Sequence, residues 1–223
     1  MMTTTAAISG THLIVSGCSI SDMIDTFLEA HGLRRIVAIS GGLASGDTEG
    51  ELRISEILHE TFTAFAKNQF AVQSGGTKWG VPRLATEAAR DHGMKTIGVY
   101  PWRGRKHALP KLLDFAIEVG PFTARSGEKT PGQWGDEAVL FATLPDVMVV
   151  FGGGPGAMAE VALTMKRNGG ANRKTVIVPV LETGGIADLL PRIASAIYVG
   201  SEELIRPVRT ATQLISVISA IIA

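Results

Sequence analysis

Short runs of β-branched and aliphatic residues alternate with longer stretches whose apolar positions return every three or four residues, almost from end to end of the chain. The short runs predict strands at residues 12–15, 35–40, 70–73, 95–100, 115–119, 147–151, 175–180 and 196–199. They are mostly apolar, as strands covered on both faces are. Helical spacing is plainest over residues 51–67, where Leu52, Ile54, Ile57, Leu58, Phe62 and Phe65 outline one stripe. The same spacing predicts helices at 21–30, 81–92, 136–143, 155–167, 186–193 and 211–222. Strands and helices in alternation are the signature of βαβ units. The expected fold is therefore α/β: a Rossmann-like, doubly wound, mostly parallel sheet of about seven strands, with helices on both faces and one domain over residues 1–223. Residues 121–133, with two prolines and two glycines, break the periodicity and predict a long loop, either functional or mobile.

Composition narrows the picture. The 26 glycines follow no repeat, so they must serve turns. Lys plus Arg equals Asp plus Glu at 21 each, which leaves no global field to draw the chain to nucleic acid or an anionic membrane; neither is an expected partner. Cys18 is the single cysteine, so no disulfide within the chain is possible, and its thiol is either reactive or simply packed. No basic segment precedes the first apolar stretch, and the apolar run 214–223 is too short to span a bilayer; a cytoplasmic location is expected. His12, His31, His59, His92 and His107 show no metal-ligand spacing, so no metal is assigned.

Three expected strands run into glycines and then into a helix: Gly41-Gly42, Gly75-Gly76-Thr77 with Gly80, and Gly152-Gly153-Gly154 with Gly156-Ala157. In an open parallel sheet such turns share the carboxyl edge, where ligands of doubly wound folds bind. Glycine lets an anion approach the main-chain amides, and each following helix offers unpaired N–H groups and a positive dipole end. Pro82 and Pro155 sit just inside two helix starts, where a missing N–H costs nothing. Taken singly, each glycine pair either binds an anion or only tightens a turn. Gly152, Gly154 and Ala157 also satisfy G-x-G-x-x-A, with Glu182 further on than the usual ribose-reading acid, so an NAD-dependent oxidoreductase is a further reading. P-loop, HExxH, CxxC and G-x-S-x-G strings are absent.

The block Ser74-Gly75-Gly76-Thr77-Lys78-Trp79-Gly80-Val81-Pro82, continuing through Ala88-Ala89 and Gly93 to Ile97-Gly98-Val99-Tyr100-Pro101, resembles the first motif of the Lonely Guy proteins, the phosphoribohydrolases often called lysine decarboxylase-like. Phe151-Gly152-Gly153-Gly154-Pro155-Gly156-Ala157-Met158-Ala159-Glu160 is similar to their second motif, PGGxGTxxE. The wider SLOG group includes molybdenum-cofactor carrier proteins, nucleotide-sensing domains of bacterial defence proteins and the amino-terminal region of melastatin-type TRP channels. Three positions differ: Phe151 stands for proline, Ala157 for threonine, and residues 133–140 lack the basic pair found there in the family.

The resemblance implies a phosphorylated small molecule as partner, a bound nucleotide or pterin as ligand with no required cofactor, and a homodimer or larger homo-oligomer. It also implies that Glu160, one turn into its helix, meets the ribose during hydrolysis of the N-glycosidic bond of a nucleoside 5'-monophosphate. The helix dipole favours an ionised Glu160. Arg103 and Arg105, just beyond Pro101, either supply the missing cation or are solvated loop charge. Trp79 either stacks on a base or anchors its turn, and Arg125 and Lys129 lie where a lid would close. A non-catalytic nucleotide sensor or pterin carrier fits the same glycine turns.

Overall fold

The structure, a computed structural model, describes residues 5–8, 11–14, 20–120, 122–123, 129–130, 134–170, 174–197 and 203–223. Cys18, Arg125 and most of the expected loop 121–133 lie outside these residues.

The strands are β1 (Thr5–Ile8), β2 (Thr11–Ile14), β3 (Ile36–Gly42), β4 (Ala71–Ser74), β5 (Thr96–Pro101), β6 (Phe115–Val119), β7 (Phe122–Thr123), β8 (Lys129–Thr130), β9 (Val147–Gly152) and β10 (Val176–Val180). The helices are α1 (Ile20–Ala30), α2 (Thr48–Thr63), α3 (Gly80–Asp91), α4 (Ala138–Phe141), α5 (Pro155–Asn168), α6 (Gly185–Ile197) and α7 (Ala211–Ile222), with a 3-10 helix at Trp102–His107. One sheet runs in the order β10-β9-β3-β4-β5-β6-β1-β2, while β7 and β8 form a separate two-stranded ribbon.

From β10 to β6 every pairing is parallel, which makes a six-strand doubly wound body. The expectation of about seven mostly parallel strands is close, and the difference is at the edges. The run expected at 12–15 falls in β2, which joins the sheet through an antiparallel hairpin with β1 rather than as a parallel strand. At the other edge the run expected at 196–199 is not a strand where it is described, because α6 continues to Ile197. Ile186, Ala187, Leu190 and Ala194 keep a helical repeat buried against the sheet, and packing that face outweighs the β-branched tail. The edge of β10 is instead covered by residues 204–208: Ile177 N–H donates to Leu204 C=O at 2.7 Å and Leu181 N–H to Val208 C=O at 2.7 Å. That cover leaves no bare strand edge there.

Alternation along each strand sends side chains to two cores. Ala38, Met148, Val150 and Ile177 pack with α1, α5 and α6; Val37, Ile39, Val149 and Val178 pack with α2, α3 and α7. Both faces are thus covered, as the apolar strands require. At the amino edge, buried Asp146 accepts the Ile36 N–H at 2.9 Å and faces Arg35 at 3.1 Å. No helix among the described residues is long and apolar enough to cross a membrane.

Candidate functional site at the carboxyl rim

Parallel register places the ends of β3 and β9 side by side, with Gly41 opposite Phe151 and Gly42 opposite Gly152. At Gly41 and Gly152 the fit leaves no room for a side chain. A Cβ on Gly41, whose φ is +141°, would stand 2.0 Å from the Phe151 carbonyl oxygen. Two of the amides expected to meet a phosphate are used internally: Gly153 N–H donates to Gly42 C=O at 2.9 Å, and Gly152 N–H to Thr183 Oγ1 at 2.8 Å. These glycines shape the rim.

The turn after β4 behaves likewise. Gly76 N–H donates to Ser74 Oγ at 2.9 Å, and its carbonyl accepts from Leu109 N–H at 2.8 Å. A Cβ on Gly76 would lie 2.9 Å from Gly98 Cα, and one on Gly75 would lie 3.2 Å from Pro82. Thr77 is buried and bridges Ala108. Gly75, Gly76 and Thr77 therefore fix β4 against the segment following β5.

The open part of the rim is the amino end of α5. Gly154 and Gly156 are exposed, with nothing within 4 Å of an added Cβ. Ala157 is tucked beneath Gly153. Helix geometry leaves the Gly156 and Ala157 N–H groups without intrahelical partners, at the positive end of the dipole. A cavity of about 400 Å³ adjoins this turn at Gly154, and Gly42, Gly152 and Gly153 line it together with Asp47 and Thr183. A second, of about 500 Å³, lies across the β3–α2 loop and takes in Lys78, Trp79, Gly80 and Arg83; Leu43 and Ala44 line both.

One turn further into α5, Glu160 Oε2 accepts a 2.5 Å hydrogen bond from Ser40 Oγ. Here the structure corrects an expectation. Burial, assisted by the charge of Glu137 and opposed by the Ser40 hydrogen bond, pushes the Glu160 carboxyl up to about 7, so desolvation outweighs the dipole that would keep it ionised. Glu137, at the start of α4, is also raised, chiefly by burial, although its carboxylate accepts Gly135 N–H at 2.8 Å. Sequence reasoning missed both Ser40 and Glu137. Ser40 had a signal in its place just before Gly41-Gly42; Glu137 lay in a segment read only for its lack of basic residues.

The structure does not bring Arg105 to Glu160. It faces Glu118 of β6 at 3.5 Å, three strands from Ser40 on β3. Arg103 shares the same exposed 3-10 helix. Glu182, the approximate ribose reader, is held by Arg53 at 3.0 Å and Arg209 at 3.1 Å, which keep its carboxyl below the usual range. Among the described residues no three His, Cys, Asp or Glu side chains are grouped to hold a metal ion.

The profile of the SLOG cluster4 family matches residues 34–188, from the approach to β3 through the start of α6. The chain belongs to that family, within the SLOG and Lonely Guy-like group of Rossmann-like proteins. Solved structures of similar fold include the molybdenum cofactor binding protein of the phototrophic bacterium Rippkaea orientalis, at 19% identity and a TM-score of 0.62 over 85% of this chain and 98% of that one. The molybdenum cofactor carrier protein of Chlamydomonas reinhardtii aligns at 22% identity and a TM-score of 0.58, covering 84% of this chain and 98% of its own. TM1055 aligns at 20% identity and a TM-score of 0.61, covering 84% and 100%. At these identities the likeness is one of fold. A search of curated protein sequences found no match.

Proposed function

We propose that this protein binds a phosphate-bearing, nucleotide-like small molecule at the amino end of α5, with the phosphate on the Gly156 and Ala157 amides. The observation that carries this reading is the open Gly154–Gly156 turn on the same helix as Glu160, which Ser40 ties to β3. Amides without intrahelical partners and a dipole end suit an anion without a dedicated lysine.

A carboxyl titrating near 7 can donate a hydrogen bond to the sugar or leaving group when protonated and accept one when ionised. Glu160 is thus suited to hydrolysis of the N-glycosidic bond of a nucleoside 5'-monophosphate. A specific observation favours a second reading, that of a holder or carrier of a nucleotide or pterin. Residues 133–140 carry no cation, Glu137 stands there instead, and Arg105 is engaged by Glu118. Two structural neighbours are named as molybdenum cofactor proteins, which supports including a pterin among the ligands tested. On either reading the chain acts as a homodimer or larger assembly in the cytoplasm.

Incubation with AMP, GMP and related monophosphates, followed by chromatography for free base, separates the two. Release of base that is lost in Glu160→Ala supports the hydrolase. A ligand-dependent rise in melting temperature without any base supports the holder. No rise and no base with any phosphorylated ligand refutes the proposal.

A further inference from the structure

We propose that the cavity beside Trp79 seats the ring of the ligand: a planar, amino-bearing heterocycle stacked on the indole, with Lys78 at its edge and the Glu51 carboxylate as acceptor for an exocyclic N–H. The inference rests on the functional reading above, in that ring and phosphate belong to one molecule.

Trp79 breaks two local rules at once. It occupies the N-cap of α3 without a side-chain capping bond, a position where Ser, Thr, Asp or Asn is favoured by about 1 kcal/mol. It also leaves 51% of its surface exposed, as the other two tryptophans do, Trp102 at 40% and Trp134 at 53%, but of the three only Trp79 lines the cavity beside the glycine rim. A local choice that opposes both capping and burial marks a functional position more often than a structural one.

The indole is nevertheless held in place. His107 lies against it with ring centroids 4.0 Å apart, and Lys78 N–H donates to His107 C=O at 2.9 Å, binding the two segments together. Lys78 Nζ stands over the indole, 5.6 Å from its centroid, so a ring settling on that face moves the ammonium aside to its edge. Burial, and then the positive charges of Lys106 and Lys78, lowers the pKa of His107. A pre-set aromatic surface loses little entropy when a ring settles on it.

The cavity, about 500 Å³ in volume, is also polar in the right sense. Glu51 accepts from Arg83 at 3.0 Å and still has acceptor capacity for an amino group, while Lys78 can donate to a ring nitrogen or carbonyl. Leu43 and Ala44, which line this cavity and the glycine cavity alike, form the bridge a mononucleotide-sized ligand would cross.

The test is a calorimetric series on the full chain with ribose 5-phosphate, AMP, GMP, a hydroxymethylpterin phosphate and adenosine. Base-on-aromatic stacking of roughly 1–3 kcal/mol predicts that ring-bearing phosphates bind about 5- to 150-fold more tightly than ribose 5-phosphate. Trp79→Ala is expected to abolish that advantage and leave ribose 5-phosphate binding unchanged, while Trp79→Phe keeps most of it. Ring-bearing ligands no tighter than ribose 5-phosphate on the wild-type chain, or an advantage that survives Trp79→Ala, would overturn the proposal. The wild-type series decides even if a variant fails to fold. Adenosine binding through Trp79 without any binding of ribose 5-phosphate would uphold the stacking site and refute the phosphate rim; no binding of any compound would overturn both.

Discussion

Ser40 Oγ and Glu160 Oε2 are 2.5 Å apart, so the last side chain of β3 before the glycine rim is joined to the first inward turn of α5. That bond crosses 120 residues of sequence. It places a carboxyl of raised pKa on the helix whose first-turn N–H groups have no intrahelical partners.

The protonation of Glu160 makes stability depend on pH. Its ordinary value is 4.5 and burial carries it to about 7 in the folded chain. Between those values the folded state holds a proton that the unfolded state releases, so stability falls as pH rises from about 4.5 to about 7 and levels off above. The contribution is up to about 3 kcal/mol. Urea unfolding from pH 4 to 8 should show this slope in the wild type and a flatter one in Glu160→Gln. An unchanged slope in the variant would mean that other groups carry it.

Glycines at the rim divide into two kinds. Gly41→Ala drives a Cβ into the Phe151 carbonyl and is expected to cost several kcal/mol or prevent folding, because backbone stands in the way. Gly156→Ala meets nothing within 4 Å and lies within α5, where alanine is the better helix former by about 0.5–1 kcal/mol. That variant should fold as well as the wild type or better, yet lose affinity for phosphorylated ligands because a methyl group stands at the open turn. Thermal melts with and without ligand check both halves.

Asn168 supplies a test of the scaffold alone. Its amide donates to Thr175 C=O and accepts Thr175 N–H, both at 2.8 Å and both buried. Asn168→Ala leaves two buried main-chain groups unpaired and is expected to cost about 2–4 kcal/mol in denaturant unfolding. Ligand affinity, measured where the variant is still folded, should not change.

Much of this was legible from the chain. The βα alternation fixed the parallel body because each strand is apolar on both faces, and six of the expected strands match β3, β4, β5, β6, β9 and β10 within two residues at either end. Less legible was what each rim glycine does. Gly76, Gly153 and Gly154 look alike in sequence, yet the amides of Gly76 and Gly153 are bonded internally while Gly154 opens to solvent. That difference arises from cross-strand register, which local pattern does not encode. The protonation of Glu160 was hidden for the same reason, since its desolvation comes from residues distant in sequence. Arg105 carried a charge of the right sign, but its partner Glu118 is set by the pairing of β5 with β6.

The most direct test of the phosphate rim is the amide NMR response of the full chain to ribose 5-phosphate. The account predicts large shifts at Gly156 and Ala157 and small ones at Gly76 and Gly153, whose N–H groups are already bonded within the protein. Shifts centred on Gly76, or saturating binding that leaves the first turn of α5 unmoved, would contradict it.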